Sequence, residues 1–289
     1  MNCNLRYLSS LSLAFLLFGF SDAISATQAE SPLTMVVMDP LAAPLSCPCV
    51  EGYAQRKYEV LGDYLSLKLK QPVEVIFTES LKLAADNDKF EQVDIIIGKD
   101  SVVRFDSKRI GESVEAVARL TGKDGKTTQT GLIVVRKDDP AKRVDDLNQY
   151  RIFFGPEDCD EKHAAALQLL KSHQVTISDK LEVSLACSDG ACKVIELGDG
   201  NKTAAVISSY AAPLLEGCGT IKKGDLRIIG ETKPVPFVTA FVAKRLDNSL
   251  KTKIQNALLE TGLNAKILIA LESQSGFVKV EPNETVKKK

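Results

Sequence analysis

The sequence predicts an α/β protein, and three features support this class. Apolar runs of strand length occupy residues 33–38, 73–77 and 93–97. Between the first two runs, the segment 54–70 carries Tyr and Leu residues at helical spacing, which predicts a helix with one apolar face. Strands that alternate with helices are typical of a parallel sheet. With 289 residues, the chain can form one large domain or two smaller ones.

Composition and charge narrow the functional classes. The chain is 44% hydrophobic and 26% charged, with a net charge of −1, as in ordinary soluble globular proteins. This balance argues against nucleic-acid binding, because proteins that bind nucleic acids carry a basic excess. The sequence shows no Ser-His-Asp pattern, glycine-rich phosphate loop or H-E-x-x-H motif. We therefore predict a protein that is not an enzyme and that carries no cofactor.

The N-terminus has the features of a signal peptide. Arg6 supplies a positive charge and residues 11–20 form an apolar run. Small residues follow, and Ala26 and Ala29 are candidate cleavage positions. The run is too short to span a bilayer well. We expect residues 1–29 to be removed and the mature protein to be exported, soluble and monomeric.

The alternation of strands and helices continues along the chain. A short helix is expected at 80–86. In the centre, apolar strands at 132–135 and 152–154 flank a charged turn, and we interpret this segment as a crossing from one sheet to another. A helix is expected to open on four acidic residues, Glu157, Asp158, Asp160 and Glu161. Further strands are expected at 181–185, 204–208, 226–229 and 237–243, with helices at 163–171, 248–260 and 265–271.

The central segment, Gly131 to His163, resembles the middle of the two-lobed periplasmic solute-binding proteins. The similarity is to the branch that binds phosphate, phosphite and phosphonate, and Pro234-Val-Pro-Phe237 resembles the return segment of that family. The resemblance covers roughly residues 33–278. It implies two lobes, each a mainly parallel sheet flanked by helices, joined by two hinge crossings. On this basis lobe 1 comprises 30–135 and 235–289, and lobe 2 comprises 136–234.

The same resemblance implies a function. Proteins of this family capture a small polar ligand between their lobes by hinge motion and deliver it to an ABC-type permease in the membrane. We expect the same of this chain.

The loop after the first strand suggests an alternative. Asp39-Pro40, Pro44, Ser46 and Glu51-Gly52-Tyr53 are similar to the opening of binding proteins that accompany quinoprotein dehydrogenases. This likeness implies an accessory protein of a periplasmic quinoprotein dehydrogenase. The same residues also fit a structural turn in which Ser46 or Glu51 caps the next helix.

Candidate ligand residues lie mainly at the ends of strands, because ligands of such sheets bind beyond the carboxyl ends of the strands. The candidate set is Asp39, Ser46, Glu51, Lys99, Thr130, Glu157, Asp158, Ser188, Ser208 and Tyr210. Besides the segment from Gly155 to Glu161, three places depart from the family's pattern. Thr130 lies near the place of a tyrosine, Cys187-Ser188-Asp189 replaces a Ser-His-acid turn, and Ala204-Ala205 lack an expected Asp.

The segment from Gly155 to Glu161 departs most, since phosphonate-binding relatives carry a hydroxyl-rich Ser-Thr-Ser-Gly where this chain carries four carboxylates. Acidic residues in a first helical turn stabilise the helix by about 0.3–1 kcal/mol each. Two like charges ~4 Å apart, however, repel by about 4 kcal/mol at an effective dielectric of 20. We therefore predict that phosphate, phosphite and simple phosphonates bind weakly or not at all. A cationic, zwitterionic, neutral hydroxylated or metal-bridged ligand is favoured.

The chain has seven cysteines, and all but Cys3 follow the signal segment. An oxidising compartment favours disulfides. Cys187 and Cys192 flank a predicted turn, so we predict that they pair with each other. Cys47 and Cys49 form a C-x-C pair that is either disulfide-bonded or part of a soft-metal site in a metal or redox protein. A bond from this pair to Cys159 or Cys218 would tie the lobes together and favour the accessory role.

Overall fold

The computed structural model describes residues 31–46, 50, 54–198 and 200–281. The predicted signal peptide, the Cys47–Cys49 pair and Glu51 lie outside these residues. The described chain forms a six-stranded sheet, a five-stranded sheet and a two-stranded sheet. We call the six-stranded sheet with its helices lobe 1, and the five-stranded sheet with its helices lobe 2.

The elements follow one another along the chain as follows. Up to the first crossing they are β1 (Leu33–Met38), α1 (Tyr58–Leu69), β2 (Val73–Phe77), α2 (Leu81–Asp86), β3 (Ile95–Lys99), α3 (Asp100–Arg109), β4 (Val114–Leu120) and β5 (Thr128–Gln129). Next come β6 (Gly131–Arg136), β7 (Arg151–Phe154), α4 (Ala164–Ser172), β8 (Glu182–Val183), α5 (Cys187–Leu197), β9 (Thr203–Ser208), α6 (Ala211–Gly217) and β10 (Leu226–Glu231). The return comprises β11 (Val235–Pro236), β12 (Val238–Ala243), α7 (Asn248–Leu259), α8 (Ala265–Ala270) and β13 (Phe277–Val278).

Lobe 1 is built on a sheet with the strand order β13-β4-β12-β3-β1-β2. The central strands β1 and β3 are apolar on both faces because helices cover both sides of the sheet. Helix α1 places Tyr58, Leu61 and Leu65 in the core on one face. These residues recur at the helical spacing from which the helix is predicted.

Lobe 2 is built on a sheet with the strand order β10-β6-β9-β7-β8. Its β9 strand is buried along its whole length, and separate apolar clusters cover the two faces of the sheet. Phe153 and Phe154, neighbours on β7, point into opposite clusters, as the alternation of side chains along a strand requires.

The predicted α/β class is confirmed, but the first crossing lies earlier than expected. The predicted lobe 1 includes residues 132–135, whereas β6 pairs with β9 and β10 and so belongs to lobe 2. The chain crosses next to β5, which pairs with β11 to form the two-stranded sheet. An apolar run shows that a strand is buried but not which sheet it joins, and β5 and β11 are too short to be recognised by periodicity.

The sheets are also mixed rather than mainly parallel. In lobe 1, β12 returns antiparallel to β3 and β4, and in lobe 2, β6 runs antiparallel to β9 and β10. Helix α3 and strand β4 had not been predicted. The helix expected to open at Glu157 begins only at Ala164, and the segment before it forms a series of turns.

Candidate functional site

The ends of three strands meet where the lobes face each other. Lys99 ends β3 of lobe 1, Ser208 ends β9 of lobe 2, and the turn segment 155–163 follows β7 of lobe 2. This arrangement obeys the rule that α/β sheets form their sites beyond the carboxyl ends of strands.

A buried ion pair joins the two lobes at this point. The Lys99 ammonium donates to Glu161 Oε1 at 2.6 Å, and the two side chains are 7% and 0% exposed. Ser208 donates its hydroxyl to the same oxygen at 2.5 Å. Oε2 of Glu161 is buried and has no hydrogen-bond partner in the part of the chain that the structure describes. One carboxylate oxygen therefore accepts hydrogen bonds from both lobes, and the other accepts none from the described residues.

The charges of this pair stabilise each other. Burial alone would lower the pKa of Lys99, but the Glu161 carboxylate, with smaller effects of Tyr210 and Cys159, outweighs it and raises that pKa. Burial alone would raise the pKa of Glu161, but the Lys99 ammonium and the hydrogen bond from Ser208 together outweigh it and lower that pKa. Both groups are therefore charged at neutral pH, as a buried pair must be if its desolvation is to be compensated.

A second contact between the lobes lies beside the first. Ser101, in the first turn of α3, donates its hydroxyl to the Asp158 carbonyl at 2.6 Å and accepts from the Asp160 N–H at 3.2 Å. We call Lys99 and Ser101 of lobe 1, together with Asp158–Glu161 and Ser208 of lobe 2, the inter-lobe contact.

The turn that carries Glu161 is held closely against the hinge. A Cβ at Gly131 would collide with the carbonyl oxygen of Glu161, so only glycine allows the turn to pack there. His163 Nδ1 lies 2.9 Å from the Gly155 carbonyl, which closes the other side of the turn. The backbone therefore fixes the position from which the Glu161 side chain enters the contact.

Two thiols line the edge of the inter-lobe contact. Cys159 Sγ lies 3.4 Å from Lys99 Nζ, and burial raises the pKa of Cys159 to about 11. Cys187, at the start of α5, accepts the Ser208 N–H through its sulfur at 3.3 Å. Both are free thiols, as are Cys192 and Cys218. A neutral thiol at Cys159 adds no charge beside the ion pair.

The structure does not join Cys187 to Cys192, contrary to our prediction. The expected turn is the first part of helix α5, which begins at Cys187 itself. Residues five apart in a helix have Cα atoms about 8–9 Å apart, given a rise of ~1.5 Å and a rotation of ~100° per residue. A disulfide needs a separation below about 7 Å. The intervening Ser-Asp-Gly-Ala was misread as a turn because these residue types are common in turns.

Next to the inter-lobe contact lies a cavity of about 770 Å³. This volume is in the usual range for a small-molecule site. The cavity is lined by the loop after β1, the segment between β4 and β5, both hinge crossings and the start of α6. Its lining residues include Arg56, Lys123, Asp124, Lys126, Gln129, Thr130, Tyr210, Leu214, Glu231, Phe237 and Glu272.

Stacked aromatic rings form one wall of the cavity and cross the hinge. Tyr210 of lobe 2 stacks on Phe237 of the return segment, with centroids 4.9 Å apart and planes at 17°. The Arg56 guanidinium lies over the Phe237 ring, 5.6 Å from its centroid. Burial raises the pKa of Tyr210 most, followed by the electrostatic effect of Cys187. The Lys99 charge lowers this pKa and the Glu161 charge raises it. Tyr210 thus lines the cavity and also interacts electrostatically with Lys99 and Glu161 of the inter-lobe contact.

Several polar side chains line the cavity, and a buried acceptor on one of them, Gln129, has no partner in the described part of the chain. Gln129 is 4% exposed, and its Oε1 has no hydrogen-bond partner among the described residues. Glu231 is exposed and accepts from the Thr130 hydroxyl at 2.8 Å. The cations are largely compensated, since Lys123 pairs with Glu272 and Lys126 lies 3.5 Å from Asp124.

Asp39, a candidate ligand residue, is used inside lobe 1. Its buried carboxylate accepts from Arg56 Nη1 at 2.8 Å, from the Tyr58 hydroxyl at 2.6 Å and from the Leu41 N–H at 3.0 Å. Burial opposes the charge on Arg56, yet Asp39 and Tyr58 together outweigh this and raise its pKa. These contacts fix the loop after β1, so Asp39 faces protein groups rather than the cavity.

The other candidate residues fall into three groups. Lys99 and Ser208 lie in the inter-lobe contact, together with Asp158, and Thr130 and Tyr210 line the cavity. Away from both places, Ser46 bonds to Ala43 and Gln55, Glu157 is exposed and Ser188 lies in the first turn of α5.

The residue at the centre of the inter-lobe contact, Glu161, is not among the predicted ligand residues. Glu161 was named only as one of four acids at a helix start, and Ser101, Arg56 and Phe237 were not named as site residues. The available signal was position: Glu161 follows strand β7, at whose end a side chain faces the cleft. The sequence pattern does not reveal that the chain forms a series of turns before α4. Because of these turns, the Glu161 side chain is buried while Glu157 is exposed.

This site, between two lobes joined by two short crossings, defines the class of the protein as a two-lobed solute-binding protein. The family model described as "ABC transporter, phosphonate, periplasmic substrate-binding protein" matches residues 52–285. The chain belongs to this family, and it is a substrate-binding protein of an ABC transporter rather than an enzyme.

Solved structures share the fold. A Xanthomonas citri protein bound to ATP has a TM-score of 0.65 at 16% identity, covering 88% of this chain and 93% of that one. A binding component of a Pseudomonas aeruginosa phosphonate transporter has a TM-score of 0.64 at 15% identity, covering 88% and 83%. PhnD1 of Prochlorococcus marinus, in complex with methylphosphonate, has a TM-score of 0.63 at 13% identity, covering 88% and 94%.

No curated protein sequence is similar enough to this chain to count as a match. Among the described residues, none of the helices has both the length and the apolar character needed to cross a membrane. Nor do these residues bring together three or more His, Cys, Asp or Glu side chains that could hold a metal ion.

Proposed function

We propose that this substrate-binding protein takes a cationic, zwitterionic or neutral polar ligand, rather than a phosphonate oxyanion, in the cavity beside Tyr210. The observation that carries this proposal is the buried Glu161 carboxylate, which already neutralises Lys99 at the inter-lobe contact. Because the pair is neutral as a whole, Lys99 offers no uncompensated positive charge to an anionic ligand.

The cavity itself supports the same ligand class. Its flat wall of Tyr210 and Phe237 suits an apolar or cationic group, since aromatic faces attract cations. The unpartnered Oε1 of Gln129 accepts a hydrogen bond, and the exposed Glu231 adds a negative charge. A hydroxyl or ammonium group on the ligand would satisfy both acceptors.

A melting-temperature screen tests the ligand class. Protein freed of any retained ligand by unfolding and refolding is mixed with phosphonates, phosphate, amines, amino acids, metal ions and small alcohols. A ligand at 100 times its dissociation constant stabilises the fold by roughly 2.7 kcal/mol. We expect this shift from an amine, a zwitterion or a hydroxylated compound. Stabilisation of that size by a phosphonate alone would contradict the proposal.

A matched pair of variants locates the ligand. Gln129→Leu removes the unpartnered acceptor from the cavity and should abolish the shift while leaving the unliganded protein folded. Gln168→Leu makes the same exchange on the exposed face of α4 and should leave the shift unchanged. Equal shifts in both variants would place the ligand elsewhere.

We also infer that residues 1–29 direct export and are then removed. The periplasmic setting of the family supports this, and N-terminal sequencing of the protein recovered from the periplasm would test it. The monomeric state and the role beside a quinoprotein dehydrogenase stay predictions. The same holds for the metal or redox role of Cys47 and Cys49.

A further inference from the structure

The inter-lobe contact places a carboxylate where an anionic ligand would be expected. Glu161 Oε1 receives one bond from an ammonium of lobe 1 and one from a hydroxyl of lobe 2. Charge-assisted bonds of this kind are the strong ones by which proteins hold carboxylates. The donors come from the ends of β3 and β9, which are sites of ligand contact in two-lobed α/β proteins.

The backbone explains how a side chain reaches this position. The turn 155–163 packs directly on Gly131, and Ser101 holds two of its backbone groups from lobe 1. The Glu161 backbone is therefore anchored on the lobe 2 side, while its carboxylate extends to Lys99. The carboxylate bridges the lobes as a bound anion would, but it is tethered by its own side chain.

We infer that Glu161 is an internal ligand: its carboxylate fills an oxyanion site formed by Lys99 and Ser208, and thereby excludes anionic solutes from the cleft. Glu161 is then the residue that sets specificity. The inference rests on the proposed function only in that both concern the same cleft. It does not depend on which solute occupies the cavity beside Tyr210.

Truncation and rescue test this inference. Glu161→Ala removes the atoms of an acetate ion and leaves Lys99 and Ser208 facing the vacated space. Sodium acetate and sodium formate, each compared with sodium chloride at equal ionic strength, are titrated while melting temperature and heat of binding are followed. We expect acetate to bind Glu161→Ala at least tenfold more tightly than the unaltered protein and to raise its melting temperature in a saturable way.

Two further variants separate an anion site from a general salt effect. Glu161→Gln keeps the shape of the side chain and should not respond to acetate, because the amide still fills the site. Glu161→Ala combined with Lys99→Met should also lose the response, because the cation is gone. Equal effects of acetate on all variants, or no effect on Glu161→Ala, would overturn the inference.

The test holds even if Glu161→Ala is unstable. Folding of Glu161→Ala only in acetate or formate would support the inference, since the free anion would then replace the tethered one. A chain that stays unfolded in both salts would overturn it. A failed solute screen with a positive acetate rescue would remove the proposed ligand class and leave Glu161 as the internal ligand.

Discussion

Two buried ion pairs, built from the same chemistry, have different structural roles. Asp39 and Arg56 are 2.8 Å apart and both belong to lobe 1, whereas Glu161 and Lys99 are 2.6 Å apart and belong to different lobes. The first pair fixes a loop within a lobe. The second fixes the position of one lobe against the other, so its energy bears on opening as well as on folding.

The two pairs also differ in how well their carboxylates are satisfied. Asp39 accepts three hydrogen bonds, one from backbone and two from side chains. Glu161 accepts two bonds on one oxygen, and among the described residues the other oxygen has none. A buried carboxylate with partners on both oxygens is typical of a structural role, and one with an oxygen left without a partner often marks a functional site.

The largest expected effect follows from removing the cation of the inter-lobe pair. Lys99→Met leaves the Glu161 carboxylate buried and unpaired, so it should lower the free energy of unfolding by about 3–5 kcal/mol. The lobes should also separate, which would raise the radius of gyration in small-angle scattering. Urea unfolding measures the first effect.

Arg56→Met is the matched control for this comparison. It should lower the free energy of unfolding by a similar amount, about 3–5 kcal/mol, since it too leaves a buried carboxylate without its cation. The radius of gyration should not change, because the pair lies within one lobe. Equal expansion of both variants would show that the location of the pair does not matter.

A double substitution sharpens the contrast. Lys99→Met combined with Glu161→Gln removes both charges, and we expect it to recover much of the stability lost in Lys99→Met alone. The reason is that neutral replacements of a buried ion pair often cost little. The two sites should couple by about 0.5–3 kcal/mol in a double-mutant cycle. Strictly additive losses would argue that the two groups do not act as a pair.

Acidification should weaken the inter-lobe pair. The folded pKa of Glu161 is lowered from its ordinary value of 4.5, so its contribution to stability is present above pH 4.5 and is lost as pH falls through the folded pKa. Melting temperature should therefore fall less steeply with acid in Glu161→Gln than in the unaltered protein. Parallel profiles below pH 4.5 would mean that Glu161 is not the group that titrates.

The smallest effect is expected at the neutral part of the contact. Ser101→Ala removes one hydroxyl that bonds to the turn of lobe 2 at 2.6 Å, and should lower the free energy of unfolding by about 0.5–1.5 kcal/mol. Ser66→Ala, which removes a hydroxyl bond within lobe 1, is the control for the loss of a hydroxyl alone. Only Ser101→Ala should increase the radius of gyration.

Much of this fold could be predicted from local patterns. Strands β1 and β2 have the predicted bounds, because a short, largely apolar and β-branched run of this length favours a strand. The crossing was misplaced since sheet membership depends on pairing between distant residues, and β6 reads like any buried strand. Helix α3 escaped recognition because its first residues, Asp100 and Ser101, follow β3 without a break.

The site was less predictable than the fold. Lys99 and Ser208 were named because both end strands, a position that follows from sequence order. The partner of both, Glu161, was not named as a site residue, because its inward direction depends on turns packed against Gly131. Asp39 was named for the same reason as Lys99, and only the fold shows that Arg56 and Tyr58 engage it.

The aromatic stack across the hinge gives the protein an optical reporter of its own. The chain contains no Trp and six Tyr, so its near-ultraviolet signal comes from few rings. Tyr210 is the tyrosine that stacks on Phe237, and separation of the lobes would pull these rings apart. The circular dichroism and emission of Tyr210 should change as the cleft opens, and a Tyr210→Phe variant should be silent in that difference spectrum. Opening can thus be timed by stopped-flow mixing without any attached dye.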